Sequence, residues 1–257
     1  MKVITADIGN TNIVIASFEN DTKEMQERLE TRSKWTLPSM TAALRKCLLK
    51  NRISADEIDG SILSSVVPEL SSTLAQALEA ITGKPVMIMT PTLSSGIGTG
   101  RYDEATLGSD RIVDMAAAAA FYKGPAAIWD LGTATTLSVI DRNHEFIGGM
   151  ISAGVQLSLT ALAEHTSQLP QLSPEATDSL LGTDTVANMI SGSVASTGIM
   201  IDGTAGRLSR MPDLEGIKFI ITGGLGQLVL PWINRDVIYD PDLQLKGMLT
   251  IYRKNRP

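Results

Sequence analysis

Asp7-Ile8-Gly9-Asn10-Thr11-Asn12, near the start of the chain, and Asp130-Leu131-Gly132-Thr133-Ala134-Thr135, about half a chain length later, are the two stretches that decide the fold. Each opens with Asp-x-Gly and continues in small amide or hydroxyl side chains. Each also stands between two apolar runs, Lys2 to Ala6 and Ile13 to Phe18 around the first, Ala126 to Trp129 and Thr136 to Ile140 around the second. Apolar runs separated by a short polar turn read as β-hairpins. The same hairpin repeated after half the chain predicts an α/β protein of two lobes, roughly 1–120 and 121–257, whose opening turns face a shared cleft.

Working outward, Met40, Ala43, Leu44, Cys47 and Leu48 recur at helical spacing, a strand follows at Ser61 to Val67, and Pro68 begins a second helix with Leu70, Leu74, Leu78 and Ile81 on one face. Gly83 is a natural stop for that helix, and Pro85 to Met89 reads as another strand. From Asp110 to Tyr122 runs a helix with five consecutive alanines, broken by Gly124-Pro125. Late in the chain, Ile220-Ile221 leads into Thr222-Gly223-Gly224-Leu225-Gly226, a strand running into a glycine-rich turn. Standing alone, that turn is a strand-to-helix connection; beside the others it offers backbone to a nucleotide's sugar or base.

An Asp-x-Gly turn rich in Gly, Asn and Thr has a chemical use. Small residues let backbone N–H groups approach phosphate oxygens, while the carboxylate holds a cation against them. Either turn singly is also what Asx geometry produces at hairpins. Two in matching positions point to phosphate.

Composition narrows the classes. The 257 residues are 43% hydrophobic and 19% charged, which is the make-up of an ordered globular chain. One cysteine, Cys47 on an apolar helical face, permits no intrachain disulfide. A net charge of -6 without Lys/Arg clusters argues against nucleic acid, and two distant histidines argue against zinc. No run reaches the roughly 20 apolar residues of a membrane span, and Met1 to Asp7 lack a signal-peptide core. The expected setting is cytoplasmic, with no membrane or nucleic-acid partner.

Two Asp-x-Gly turns plus a late Thr-Gly-Gly turn resemble the actin, sugar kinase and Hsp70 superfamily, which implies two actin-like (ribonuclease H-like) lobes with mixed sheets and an interlobe cleft. Asp7 to Thr11, Gly108-Ser109-Asp110-Arg111, Asp130 to Thr136, Gly148-Gly149-Met150-Ile151 with Gly154, and Gln168-Leu169-Pro170 stand in an order and spacing similar to type III pantothenate kinases. The likeness extends through the Ser191-Gly192 region to Leu243–Met248. Among the departures, Ala105 stands near a position where the family often has proline, and the Tyr102 to Gly108 interval is short by one.

The resemblance implies phosphorylation of pantothenate by ATP with Mg²⁺ and a monovalent cation, K⁺ or NH₄⁺, in a homodimer. It assigns the nucleotide to Asp7, Ile8, Gly9, Asn10, Thr11, Asn12, Ile13, Val14 and Thr133, with Asp7 as the Mg²⁺ partner. The monovalent cation goes to Asp130, the general base to Asp110, and the substrate to Tyr102, Gly108, Ser109, Asp110, Arg111 and Thr185. By the residues alone, Asp110 before Arg111 also reads as a helix cap. His144 in a turn, His165 and Glu164 at a helix end, and Trp129 in a strand read as structural. Other phosphoryl-transfer enzymes of the superfamily, such as a sugar kinase or polyphosphatase, and a non-catalytic transcriptional accessory factor remain alternatives.

Overall fold

The computed structural model of the chain describes residues 1–90, 92–100, 102–103 and 106–256; Ala105, noted above, lies outside them. Two compact units emerge. One comprises Met1–Gly96, Asp103–Ala117 and Gln244–Pro257, the other Ile97–Tyr102 and Ala118–Leu243. Where the sequence reading divides the chain once, near residue 120, these units interleave along it.

In the first unit β1 (Lys2–Ile8), β2 (Asn12–Glu19) and β3 (Thr22–Glu30) form an antiparallel meander. β4 (Gly60–Ser65) then joins β1 in parallel and β5 (Val86–Ile88) joins β4. Strand order is β3-β2-β1-β4-β5. Helices α1 (Leu37–Lys50) and α2 (Pro68–Thr82) cover one face, and Ile4, Ile8, Ile15, Met40, Leu44, Leu63, Leu74 and Leu78 make the core. Local chemistry sets their ends. Thr36 and Ser39 form a capping box before α1, and Gly83 closes α2 in the left-handed region at φ 69°. Cys47 is buried in this core, and burial raises its thiol pKa, as befits a packing residue. Helix α3 (Ser109–Phe121) passes so close to the last helix, Leu243–Asn255, that a Cβ on Gly247 would strike the Val113 carbonyl. The glycine on the partner helix makes that approach possible.

The second unit repeats the plan. β6 (Ala126–Leu131), β7 (Ala134–Ile140) and β8 (Phe146–Ala153) are an antiparallel meander. β9 (Lys218–Thr222) adds to β6 in parallel and β10 (Ile238–Tyr239) to β9, giving the order β10-β9-β6-β7-β8. Read from the first strand of each unit, the order and the strand directions are the same in both. Helices α4 (Val155–His165), α5 (Thr185–Leu208), α6 (Gly226–Val229) and α7 (Leu243–Asn255) complete the chain. Trp129, Leu137, Leu159, Ile190, Val194 and Ile201 pack in one core, which bears out the structural reading of Trp129. Among the described residues no helix is long and apolar enough to cross a membrane.

Candidate active site

Asp7 is the next-to-last residue of β1, 8% exposed, with Val14 of β2 and Ser64 of β4 as its neighbours across the sheet. The turn beyond it is held from both sides. Gly9 N–H donates to the Asn12 carbonyl at 3.0 Å, Thr31 N–H to the Thr11 carbonyl at 3.0 Å, and the Thr31 hydroxyl to the Gly9 carbonyl at 2.7 Å. Asn10 and Thr11 at the tip are exposed, while the side chains of Ile8 and Ile13 belong to the core. From those two positions only the backbone is open to a ligand.

In the same unit α3 starts where the sequence placed Gly108-Ser109-Asp110-Arg111. The Gly108 carbonyl accepts from Arg111 N–H at 3.1 Å and Ile112 N–H at 3.3 Å, and Asp110 Oδ1 accepts from Arg111 N–H at 2.8 Å. A side chain at Gly108 would collide with the Asp110 carboxylate. Asp110 therefore does contact the helix N-terminus, as a cap would, while remaining half-buried, and Arg111 is 7% exposed. One contact ties this helix start to the strand beside Asp7. The Ser64 and Ser109 hydroxyls lie 3.3 Å apart, and Ser64 is the sheet neighbour of Asp7. The sequence reading missed Ser64 and Thr31. The only signal for Ser64 was its place at the end of a strand before a proline-led helix.

Asp130 is the counterpart of Asp7 in the second unit: next to last in its strand, with Thr136 of β7 and Thr222 of β9 beside it. Glycines let other backbone close round its turn. Gly223 sits at φ 89°, and a Cβ there would stand 2.5 Å from Asp130 Oδ1 and 2.6 Å from Leu131 N. Gly154 N–H donates to the Thr133 carbonyl at 3.1 Å; a Cβ on Gly154 would meet that oxygen and lie 2.5 Å from the Gly132 carbonyl. Thr133 is exposed at the tip.

The remaining substrate candidates also fall in the second unit. Tyr102, 41% exposed, packs edge-on against Phe146. Thr185 is the first residue of α5, after the Asp184 cap, and lines a cavity of about 790 Å³ with Ala153, Leu162, His165 and Met189. Tyr102 thus stands by the first residue of β8 and Thr185 by its last, Ala153, with about 23 Å of strand between them. His144 takes φ 64° in a turn whose Asp141 Oδ1 accepts from Asn143 and Glu145 N–H groups, as a turn residue should.

Among the described residues no three His, Cys, Asp or Glu side chains gather to hold a metal. A single carboxylate such as that of Asp7 would be compatible with Mg²⁺, which commonly takes one or two carboxylates together with substrate phosphates. Asp130 supplies one carboxylate beside its turn, while the Gly132 and Thr133 carbonyls lie against Gly154.

Comparison with known proteins agrees with this arrangement. A family model described as type III pantothenate kinase matches residues 3–207. A type III pantothenate kinase of Rhodospirillum rubrum is 33% identical over 256 residues, covering 99% of both chains. One of Agathobacter rectalis is 32% identical over 252 residues, covering 98% of this chain and 97% of its own. A glucokinase of the ROK family from Streptomyces griseus, solved with glucose and AMPPNP, shares the fold with a TM-score of 0.53 at 13% identity, with 98% of each chain covered. Two repeated mixed sheets, an Asp-x-Gly turn in each, and full-length similarity to these kinases lead to one assignment: the chain belongs to the type III pantothenate kinase family.

Proposed function

We propose that the chain transfers the γ-phosphoryl group of ATP to pantothenate, giving 4'-phosphopantothenate, the first step of coenzyme A biosynthesis. The observation that carries this reading is the Ser64–Ser109 contact, which sets the start of α3, with Asp110 and Arg111, alongside the strand that presents Asp7. A candidate base thereby stands in the same unit as a candidate phosphate turn.

Phosphoryl transfer is mostly positioning and charge neutralisation. In this reading the exposed turn of Asn10 and Thr11 is the phosphate contact of the first unit, and Thr133 is the candidate nucleotide contact of the second. Arg111 pairs with the pantothenate carboxylate, helped by the backbone of Gly108 and Ser109. Asp110 accepts the proton of the acceptor hydroxyl as its oxygen attacks the γ-phosphorus, and ADP departs on the opposite side. Asp7 would hold Mg²⁺ and Asp130 a K⁺ or NH₄⁺ ion, which when bound would supply charge neutralisation. Tyr102 is the further substrate contact kept in this reading; Thr185, at the other end of β8, is too distant to meet the same pantothenate within one chain.

A homodimer in the cytoplasm belongs to the same proposal. It is supported by the exposed apolar side chains of Ile147, Met150 and Ile151 on β8 and of Leu157 and Leu162 on α4. The test is ATP consumption by purified protein with pantothenate, glucose or polyphosphate. Turnover with pantothenate alone is expected; turnover with glucose or polyphosphate alone would replace the reading by another member of the superfamily, and none at all would favour an accessory factor.

A further inference from the structure

Tyr102, like Gly108, is a candidate substrate residue that no helix or strand carries, yet its surroundings fix it closely. Phe146, the first residue of β8, is 4% exposed and presents its ring to Tyr102 at a centroid distance of 5.1 Å and an interplanar angle of 68°, the edge-to-face arrangement aromatic rings prefer. Backbone fastens the same two segments together. Phe146 N–H donates to the Gly98 carbonyl at 2.7 Å and Gly98 N–H to the His144 carbonyl at 3.1 Å, a one-residue parallel bridge. Tyr102 N–H then donates to the Thr99 carbonyl at 2.8 Å, turning the chain back toward β8.

Glycines make the approach possible. A Cβ on Gly98 would collide with the Glu145 carboxylate, and Gly100, at φ 54°, lies with its Cβ position 3.4 Å from Glu145 Oε2. Gly98 is therefore pinned to the start of β8 by backbone and Tyr102 by the ring pair. The Tyr102 side chain keeps two-fifths of its surface open.

We propose that Phe146 is a positioning residue for substrate: it holds the Tyr102 ring in the orientation in which that ring meets pantothenate. This rests on reading Tyr102 as a contact of the pantothenate site. An exposed ring on a loop otherwise loses rotamer freedom when substrate binds, and a ring already braced has less to lose. The role differs from core filling, since it acts on one substrate and through one neighbour.

The experiment is a double-mutant cycle in steady-state kinetics, with Tm recorded for every protein. Phe146→Leu is expected to raise the KM for pantothenate about 3- to 10-fold, the range of an aromatic pair, with the KM for ATP unchanged. Phe146→Tyr, which keeps the ring, should restore wild-type values. In a Tyr102→Ala background, Phe146→Leu should add less than about twofold, because the group it positions is gone. Equal effects in both backgrounds, or parallel changes in both KM values that track Tm, would overturn the proposal while leaving the pantothenate reading intact. A neutral Tyr102→Ala would remove Tyr102 from the site and the proposal with it, and absence of turnover in the wild-type protein would sink the functional reading itself. Should Phe146→Leu not fold, Phe146→Met removes the ring while keeping much of its bulk; an unchanged pantothenate KM there would also refute the bracing.

Discussion

Three glycines separate two kinds of cost and allow a quantitative test of the turn around Asp130. Gly83, the C-cap of α2, sits at φ 69° with nothing within 4 Å of a built Cβ, so Gly83→Ala meets only the left-handed penalty of about 1–2 kcal/mol. Gly154 has ordinary φ −69° but a Cβ there would stand 2.5 Å from the Gly132 carbonyl, so Gly154→Ala meets only overpacking, about 1–3 kcal/mol. Gly223 combines φ 89° with contacts of 2.5 Å to Asp130 Oδ1 and 2.6 Å to Leu131 N. Its substitution should cost the sum, about 2–5 kcal/mol. At about 2–4 °C per kcal/mol for a chain of this size, the expected Tm losses are about 2–8 °C for Gly83→Ala and about 4–20 °C for Gly223→Ala, with Gly154→Ala between. Function should separate the variants more sharply than stability. Gly223→Ala must push the Asp130 carboxylate aside and so lose the response to potassium, whereas Gly83→Ala keeps it. The assay is thermal unfolding of the three variants together with initial rates in potassium and sodium chloride. If Gly223→Ala lost no more stability than Gly83→Ala and kept its potassium response, the close packing of β9's turn on Asp130 could not be what holds that carboxylate.

Asp110→Asn is expected to fold and bind ATP while turning over about 10²–10⁴-fold more slowly; near-normal rates would reduce Asp110 to a helix cap. Rates with Mg·ATP and pantothenate should rise steeply when potassium or ammonium replaces sodium at constant ionic strength, and Asp130→Asn should blunt the rise; equal rates in sodium and potassium would take the cation away from Asp130. Lys50, 2.8 Å from Glu27 Oε1, and then Asn51 hold the Glu27 carboxyl below its usual 4.5. That stabilisation is present above the unfolded value and lost as pH falls through the folded one, so Glu27→Gln should lower Tm slightly at pH 7 and the difference should close below about pH 4. A difference that persists unchanged at pH 3 would contradict the ion pair.

Much of this architecture could be read from the residues. The opening strands read as apolar runs, and Val3, Ile4, Ala6 and Ile8 are all buried. Helix α1 buries Met40, Leu44, Cys47 and Leu48, the positions its spacing picks out, and Gly83 ends α2. The third strand of each sheet was not legible. β3, Thr-Lys-Glu-Met-Gln-Glu-Arg-Leu-Glu, buries only Met25 and owes its conformation to pairing with β2. β8 contains Gly148-Gly149, which reads as a turn until β7 lies beside it. The four glycines of α5 likewise look like breaks. In the fold, Gly198 is where Trp232 packs, with the Trp232 Cβ 2.5 Å from the built position, and Gly206 is where the Arg235 guanidinium packs. In the candidate site the aspartates were visible because the motif occurs twice. Ser64, Thr31 and Phe146 were not, since each matters through a neighbour 22 to 45 positions away, and no local pattern records that distance.

The two sheets together end on four strands, and those ends are not alike. In the first sheet β3 is studded with Lys23, Glu24, Glu27, Arg28 and Glu30, and β5 has three residues; in the second, β10 has two. Charge and brevity both discourage a further strand from adding on. β8 has neither protection: it is eight residues long and uncharged, with Ile147 48%, Met150 47% and Ile151 67% exposed. Growth of the native chain into larger assemblies is therefore directional. A strand-by-strand aggregate of folded single chains would start at β8, whose exposed residues the proposed homodimer would cover, so a lysine at Ile151 that protects this fourth edge should weaken the dimer as well.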